Sequence, residues 1–158
     1  MRNKFSRLSK AKFLLGFVLS ILVAVPAFAL NPDQAKVAQI TGDAQYKKAG
    51  TSDWIKLETD MVLTQGDSIK TADESEVVME LTGAAKTAEI VVRKNSEFIF
   101  KTFQHDPELK EDTTLLDVSL GAVLVRAEKL VGASKFEVKT PTSIVGIRGT
   151  TFEVRVAG

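Results

Sequence analysis

Residues Lys139–Val154 read KTPTSIVGIRGTTFEV, and from this stretch the fold can be worked out. Proline cannot donate to a strand ladder, so Thr140-Pro141 closes one strand. Ser143 to Ile147 forms a second, short strand. Gly146 and Gly149 open backbone conformations closed to other residues, as in a bulge or a tight turn. Beyond them Phe152, Val154 and Val156 fall on one side of a final strand, while Thr151, Glu153 and Arg155 fall on the other. The expected arrangement is a last hairpin locked onto an apolar core by glycine turns, the Thr150 hydroxyl and an inward Phe152. Arg148 lies between the glycines with its planar guanidinium available for a bidentate contact, which makes it a candidate recognition residue.

The same period of two recurs upstream. Val77, Met79 and Leu81 share one face of a segment whose other face carries Glu76 and Glu80. Phe98 and Phe100 alternate with Glu97, Ile99 and Lys101, and Leu116, Val118 and Leu120 alternate with Asp117 and Ser119. Each such segment is expected to be half-buried. Turn signals separate them: Gly42-Asp43, Ala49 to Asp53, Gly66-Asp67, Gly83, Asn95-Ser96, Asp106-Pro107, Gly121 and Gly132. Turns at that frequency, with no sustained helical period, predict an all-β fold, a sandwich or barrel of short antiparallel strands in a single domain. Asn95-Ser96 reads as a tight hairpin connection. Phe103 to Thr113 (FQHDPELKEDT) is charged and interrupted by Pro107, and is expected to be an exposed loop or one helical turn.

The N-terminus has the order of a secretory signal. Arg2, Lys4, Arg7, Lys10 and Lys12 precede the apolar run Phe13–Val25, and Ala27-Phe28-Ala29 supplies small residues for a peptidase. Residues 1–29 are therefore read as a signal peptide cleaved after Ala29, and 30–158 as the domain. A retained anchor is the competing reading, but Pro26 interrupts the run. The chain has no cysteine, which excludes a lipoprotein, disulfides and thiolate chemistry. Five of the 21 Lys+Arg lie in the signal, leaving 16 against 20 Asp+Glu, a charge of about −4 after cleavage. An acidic domain without a basic stripe is a poor partner for nucleic acid. The chain is expected in the periplasm or outside the cell, with no stable membrane anchor after cleavage.

No residue pattern points to catalysis, a cofactor or a metal. His105 is the one histidine, and it stands among Asp106, Glu108, Glu111 and Asp112. Without further nitrogen donors on rigid elements it makes a weak transition-metal site, and the segment reads as a solvated acidic loop. There is no G-x-S-x-G, no partner set for a Ser-His-Asp triad and no phosphate-cradling glycine pattern. Trp54 and Tyr46, on either side of one turn, are candidate binding aromatics. The alternative is that Trp54 packs over one end of the sandwich.

Thr140 through Val154 resembles the T-P-x-x-x-V-x-I-R-G-T-x-F-x-V signature of the FecR domain family, the periplasmic domain of iron-dicitrate-type sigma-factor regulators. Thr140, Pro141, Arg148, Gly149, Thr150 and Phe152 carry it. Upstream, Gly42, Trp54, Leu57 and Leu63 to Thr71 follow in the family's order, the last resembling its L-x-x-G-D-x-I-x-T. Asn95-Ser96 resembles its P-N-S turn, and Leu116, Val118, Gly121 and Val123 resemble its L-x-L-x-x-G-x-V strand pair. Asp60 stands where the family commonly has a glycine, and Gly83 to Ala88 where it often has Asp-Gly-Ser. The resemblance implies a jelly-roll-like β-sandwich and a role in envelope signalling. Only Met1 to Lys12 precede the apolar run, so the chain is not expected to hold a cytoplasmic sigma factor itself. The expected function is a non-enzymatic exported binding or sensing module whose partner is another envelope protein. Two alternatives stand beside it: a binder of glycans or small ligands such as metal chelates, using Trp54, Tyr46 and Arg148, and a component of a sigma-factor pathway without a cytoplasmic domain of its own.

Overall fold

The computed structural model describes residues 34–82, 88–106, 108–109, 111–130 and 132–157. The expected signal peptide with its cleavage after Ala29, the turn expected at Gly83, and Pro107 lie outside the described residues. Within them the period-two segments form twelve strands and no helix. These are β1 (Gln34–Thr41), β2 (Ala44–Lys47), β3 (Ile55–Lys56), β4 (Val62–Leu63), β5 (Ser68–Thr71) and β6 (Glu76–Thr82). They continue as β7 (Ala88–Val92), β8 (Glu97–Asp106), β9 (Glu111–Ala127), β10 (Lys135–Lys139), β11 (Ile144–Ile147) and β12 (Thr151–Val156).

The long strand β9 organises the rest. Its first half lies between β8 and β10, and its second half between β7 and β12. One half-sheet therefore runs β3-β2-β5-β8-β9-β10-β11 and the other β4-β1-β6-β7-β9-β12. Both contribute to one apolar core, in which Val37, Val77, Met79 and Ile90 meet Ile69, Phe98, Phe100 and Phe136. Phe98, Phe100 and Phe103 pack edge to face, with successive centroids 5.0 and 5.3 Å apart, the geometry the ring quadrupoles favour. Each fully buried side chain of this size contributes about 1.5–3 kcal/mol. The result is the all-β sandwich that alternation predicted.

The burial phase of β9 shows how one strand serves both halves. Thr114, Leu116 and Val118 face the core, and then Val123 and Val125 do, so the parity flips across Ser119–Ala122. Leu120, read as a core residue, is 39% exposed at that flip. Gly121 makes the bend possible. Its φ is +84°, and a Cβ on it would lie 2.2 Å from Ser96 Oγ and 2.5 Å from the Asn95 carbonyl. Thus Gly121 is a corner within one continuous strand and not a turn between a strand pair.

Asn95-Ser96 is corrected for the same reason. Strands β7 and β8 do not pair with each other; each pairs with a different half of β9. The segment is a crossover between half-sheets, tied down by hydroxyls. The Ser96 Oγ accepts from the Ala122 N–H at 2.9 Å, Thr71 Oγ1 accepts from the Ser96 N–H at 3.0 Å, and Thr71 donates to the Arg93 carbonyl at 2.6 Å.

Three further expectations change. Phe103–Thr113 is the end of the β8–β9 hairpin, paired out to Asp106↔Glu111, because Phe103 and Thr114 anchor its base in the core. The last two strands form no hairpin with each other: β11 pairs with β10 and β12 with β9. Strand β10 also runs parallel to β9, so the sandwich is antiparallel with one parallel pair. At Asp60, the expected departure from glycine has a conformational consequence. It adopts φ +65°, the left-handed region, with its carboxylate 2.7 Å from Lys36 Nζ.

Candidate functional site

The segment 139–154 divides into a scaffold and a free surface. Thr140 ends β10 by turning the chain on itself. Its N–H donates to the Ser143 carbonyl at 2.8 Å, and its Oγ1 accepts from the Ser143 N–H at 3.0 Å. Pro141 sits exposed in that turn. Gly149, at φ +86°, passes so close to the 128–129 backbone that a Cβ would lie 2.4 Å from Lys129 Cα. Its neighbour Thr150 accepts from the Ala127 N–H through its carbonyl at 3.2 Å. The Thr150 hydroxyl is exposed and reaches only the next carbonyl, so it does not lock anything to the core. Phe152 packs half-buried against the core. Gly146 needs no special conformation: it lies within β11 opposite Glu137, with open space where a Cβ would be. Arg148 is exposed, and no hydrogen bond or ion pair holds its guanidinium among the described residues.

Strand edges present backbone donors and acceptors to the outside, and among the described residues this sandwich has four. Two are blunted by length, since β3 and β4 are two residues each. A third, β12, carries Thr151, Glu153 and Arg155 in alternation, with Glu153 and Arg155 paired at 2.8 Å. The fourth, β11, is open. It pairs only with β10 among the described residues, and it exposes Ile144 (63%) and Val145 (38%) with no charge along its length. The Thr140–Ser143 bond makes that a hydrogen-bonded pair, and such pairs alternate along an antiparallel ladder. Val145 and Ile147 therefore bond to β10, whereas Ile144 and Gly146 turn their N–H and C=O groups outward. Apolar side chains, outward amides and a free guanidinium at the strand end compose a surface that can take up an extended peptide.

A concavity of about 810 Å³ lies on the β12 side of the molecule. Glu76, Arg93, Lys94, Leu120, Glu153 and Arg155 are among its walls. All its charges but Glu74 are partnered: Arg93 with Glu76, Arg155 with Glu153, and Lys94 with Asp73 at 3.4 Å. The Lys94 hydrogen bond, then the Glu74 backbone N–H, hold the Asp73 carboxyl below its ordinary value. This cavity offers a ligand little uncompensated charge.

The other sequence candidates separate. Tyr46 is buried at 8% exposure, and its phenol is pushed above its ordinary value by burial and then by the Asp67 carboxylate it faces. It belongs to the core and presents little surface to a ligand. Trp54 is half-buried, with Lys47 Nζ 4.7 Å and Lys70 Nζ 4.4 Å from its ring centroid. His105 is not in a solvated loop. It bonds through Nδ1 to Asp112 Oδ1 at 2.7 Å, with side chains 14% and 9% exposed. Among the described residues no group of three His, Asp or Glu could hold a metal ion.

Alternation did not distinguish β11 from an interior strand, because Ile-Val-Gly-Ile reads the same in either place. The signal that was available is the absence of any charge on a four-residue strand placed last but one.

A family model described as FecR protein matches residues 67–158. The match begins at Asp67, so Gly42, Trp54, Leu57 and the start of the L-x-x-G-D motif lie ahead of it. No curated protein and no solved structure matches the chain.

Proposed function

Since the chain belongs to the FecR family, we propose that it is an exported signalling module of the bacterial envelope that binds a partner protein by accepting one of its strands along β11. Domains of this family are periplasmic and act in sigma-factor regulation together with other envelope proteins. Export would follow from cleavage after Ala29, and among the described residues there is no helix long and apolar enough to cross a membrane. The domain works by binding and not by catalysis. The partner is an envelope protein of a sigma-factor pathway, and it contributes an extended segment.

One observation supports this reading: among the described residues β11 is an unguarded edge whose Ile144 and Gly146 amides face outward and whose Ile144 and Val145 side chains are exposed. Main-chain bonds along such an edge supply affinity, and side-chain pockets supply specificity. Arg148, at the end of the strand, is placed to pair with a carboxylate of the incoming segment.

A photo-crosslinking residue placed at Ile144 in living cells is expected to trap a defined envelope protein, while one at Glu80 on the opposite half-sheet traps none. Gly146→Pro removes an outward N–H and leaves the bonds to β10, so it should abolish the crosslink without unfolding the domain. A crosslink that survives Gly146→Pro, or one obtained equally from Glu80, would show that β11 is not the docking edge.

A further inference from the structure

The described cations fall into two sets. Lys36, Arg93, Lys94, Arg126, Lys139 and Arg155 each stand against a carboxylate. Eight others have no ion pair among the described residues, Lys48, Lys101, Lys129, Lys135 and Arg148 among them; the remaining three, Lys47, Lys56 and Lys70, occur on three neighbouring strands, β2, β3 and β5, of one half-sheet. Alternation sets their direction. Ala44, Tyr46 and Ile69 face the core, so Gln45, Lys47 and Lys70 project from the outer face, and Lys56 stands opposite Gln45. Trp54, just before β3, lies among them, with the ammonium groups of Lys47 and Lys70 over its ring. Attraction between a cation and an indole face is worth about 0.5–1 kcal/mol at such exposed sites. It gathers two like charges that would otherwise repel, and neither is ion-paired among the described residues.

We infer that this face is a binding site for an acidic saccharide, a chain of sugar rings each bearing a carboxylate. The carboxylates would take places next to Lys47, Lys56 and Lys70, none of which is ion-paired among the described residues; Glu97 stands opposite Lys70 on β8, but the Lys70 ammonium lies over the Trp54 ring. The C–H face of a sugar ring would rest on the exposed part of the indole. Neighbouring strands are spaced about 4.8 Å apart, so Lys56 and Lys70, in one row with Gln45 between them, stand two strand spacings apart, on the scale of two sugar rings, and Lys47 lies two residues along from Gln45. The surface is the outside of a sheet and not a closed pocket, which suits a polymer. An acidic peptide satisfies the charges but not the stacking surface, and serves as the competing ligand in the test. The site is separate from β11, at the other edge of the same half-sheet, so it goes beyond the strand-docking function and stands independently of it.

Trp54 is the only tryptophan in the chain, and its fluorescence therefore reports on this face alone. Titration with oligogalacturonate should shift its emission and saturate. A neutral maltooligosaccharide of equal length should leave the emission unchanged, and oligoglutamate of equal charge should bind at least about tenfold more weakly. Binding measured by calorimetry should weaken about tenfold or more in Lys47→Gln/Lys70→Gln, and a similar loss is expected in Trp54→Leu. Circular dichroism of both variants should match that of the parent chain. A flat response to oligogalacturonate, an equal response to oligoglutamate, or unchanged affinity in the double lysine variant would each overturn the assignment.

Discussion

Glycine at 146 and glycine at 149 look alike in sequence and differ in what they do. Gly149 has φ +86° and backbone 2.4 Å from where a Cβ would stand; Gly146 has neither constraint. Gly149→Ala should therefore cost about 2–4 kcal/mol from left-handed strain and overpacking together. Gly146→Ala should be neutral or stabilising by about 0.5–1 kcal/mol, because it lowers the entropy of the unfolded chain. Urea denaturation of the two variants checks the contrast. Equal losses would mean that the 128–129 backbone gives way and that Gly149 is not required. Arg148, between them, is exposed, with no hydrogen bond or ion pair among the described residues.

At the scale of elements, the joint between half-sheets rests on three short contacts around β9. The Thr71 hydroxyl accepts from the Ser96 N–H and donates to the Arg93 carbonyl, while the Ser96 hydroxyl accepts from the Ala122 N–H. Ser96 is 1% exposed and Thr71 8%, so water cannot replace a lost partner easily. Thr71→Val keeps the shape and removes the hydroxyl, leaving the buried Ser96 N–H unpaired. It should cost about 1–3 kcal/mol. Native-state hydrogen exchange should place the increase at Ser96 and Ala122; an increase spread evenly over the sheet would assign the loss to packing instead. The same joint explains why a hairpin reading of Asn95-Ser96 fails: the residues have turn character, and Asn95 does take φ +52°, but the chain turns into the other half-sheet.

At the scale of the molecule, residues ahead of the family match are part of the same body. Ala35, Val37, Tyr46, Leu57 and Leu63 share one core with Phe98, Phe100 and Val125. A single core predicts a single cooperative transition. Trp54 fluorescence, which reports on the part before Asp67, should coincide in denaturant with far-ultraviolet circular dichroism, which reports on all strands. Phe100→Ala should lower both midpoints together, by the equivalent of about 3–5 kcal/mol. Two separated transitions would mean that the strands before Asp67 fold as a unit of their own.

The amino-acid sequence alone determined that this chain is built of strands, which side chains of most of them face inward, and to which family it belongs. Side-chain period is a local property, as the buried rows Val77-Met79 and Phe98-Phe100 illustrate, and the T-P…I-R-G-T motif is contiguous. Only the tertiary structure decided which strands are neighbours. Pairing joins residues far apart in the chain, and both the sharing of β9 and the parallel β10 depend on it. The candidate sites follow from the same non-local choices. An edge is an edge because nothing pairs beyond it, which made β11 invisible in its own residues. Trp54 was legible as an aromatic of interest, but Lys47 and Lys70 reach it only because β2 and β5 lie side by side.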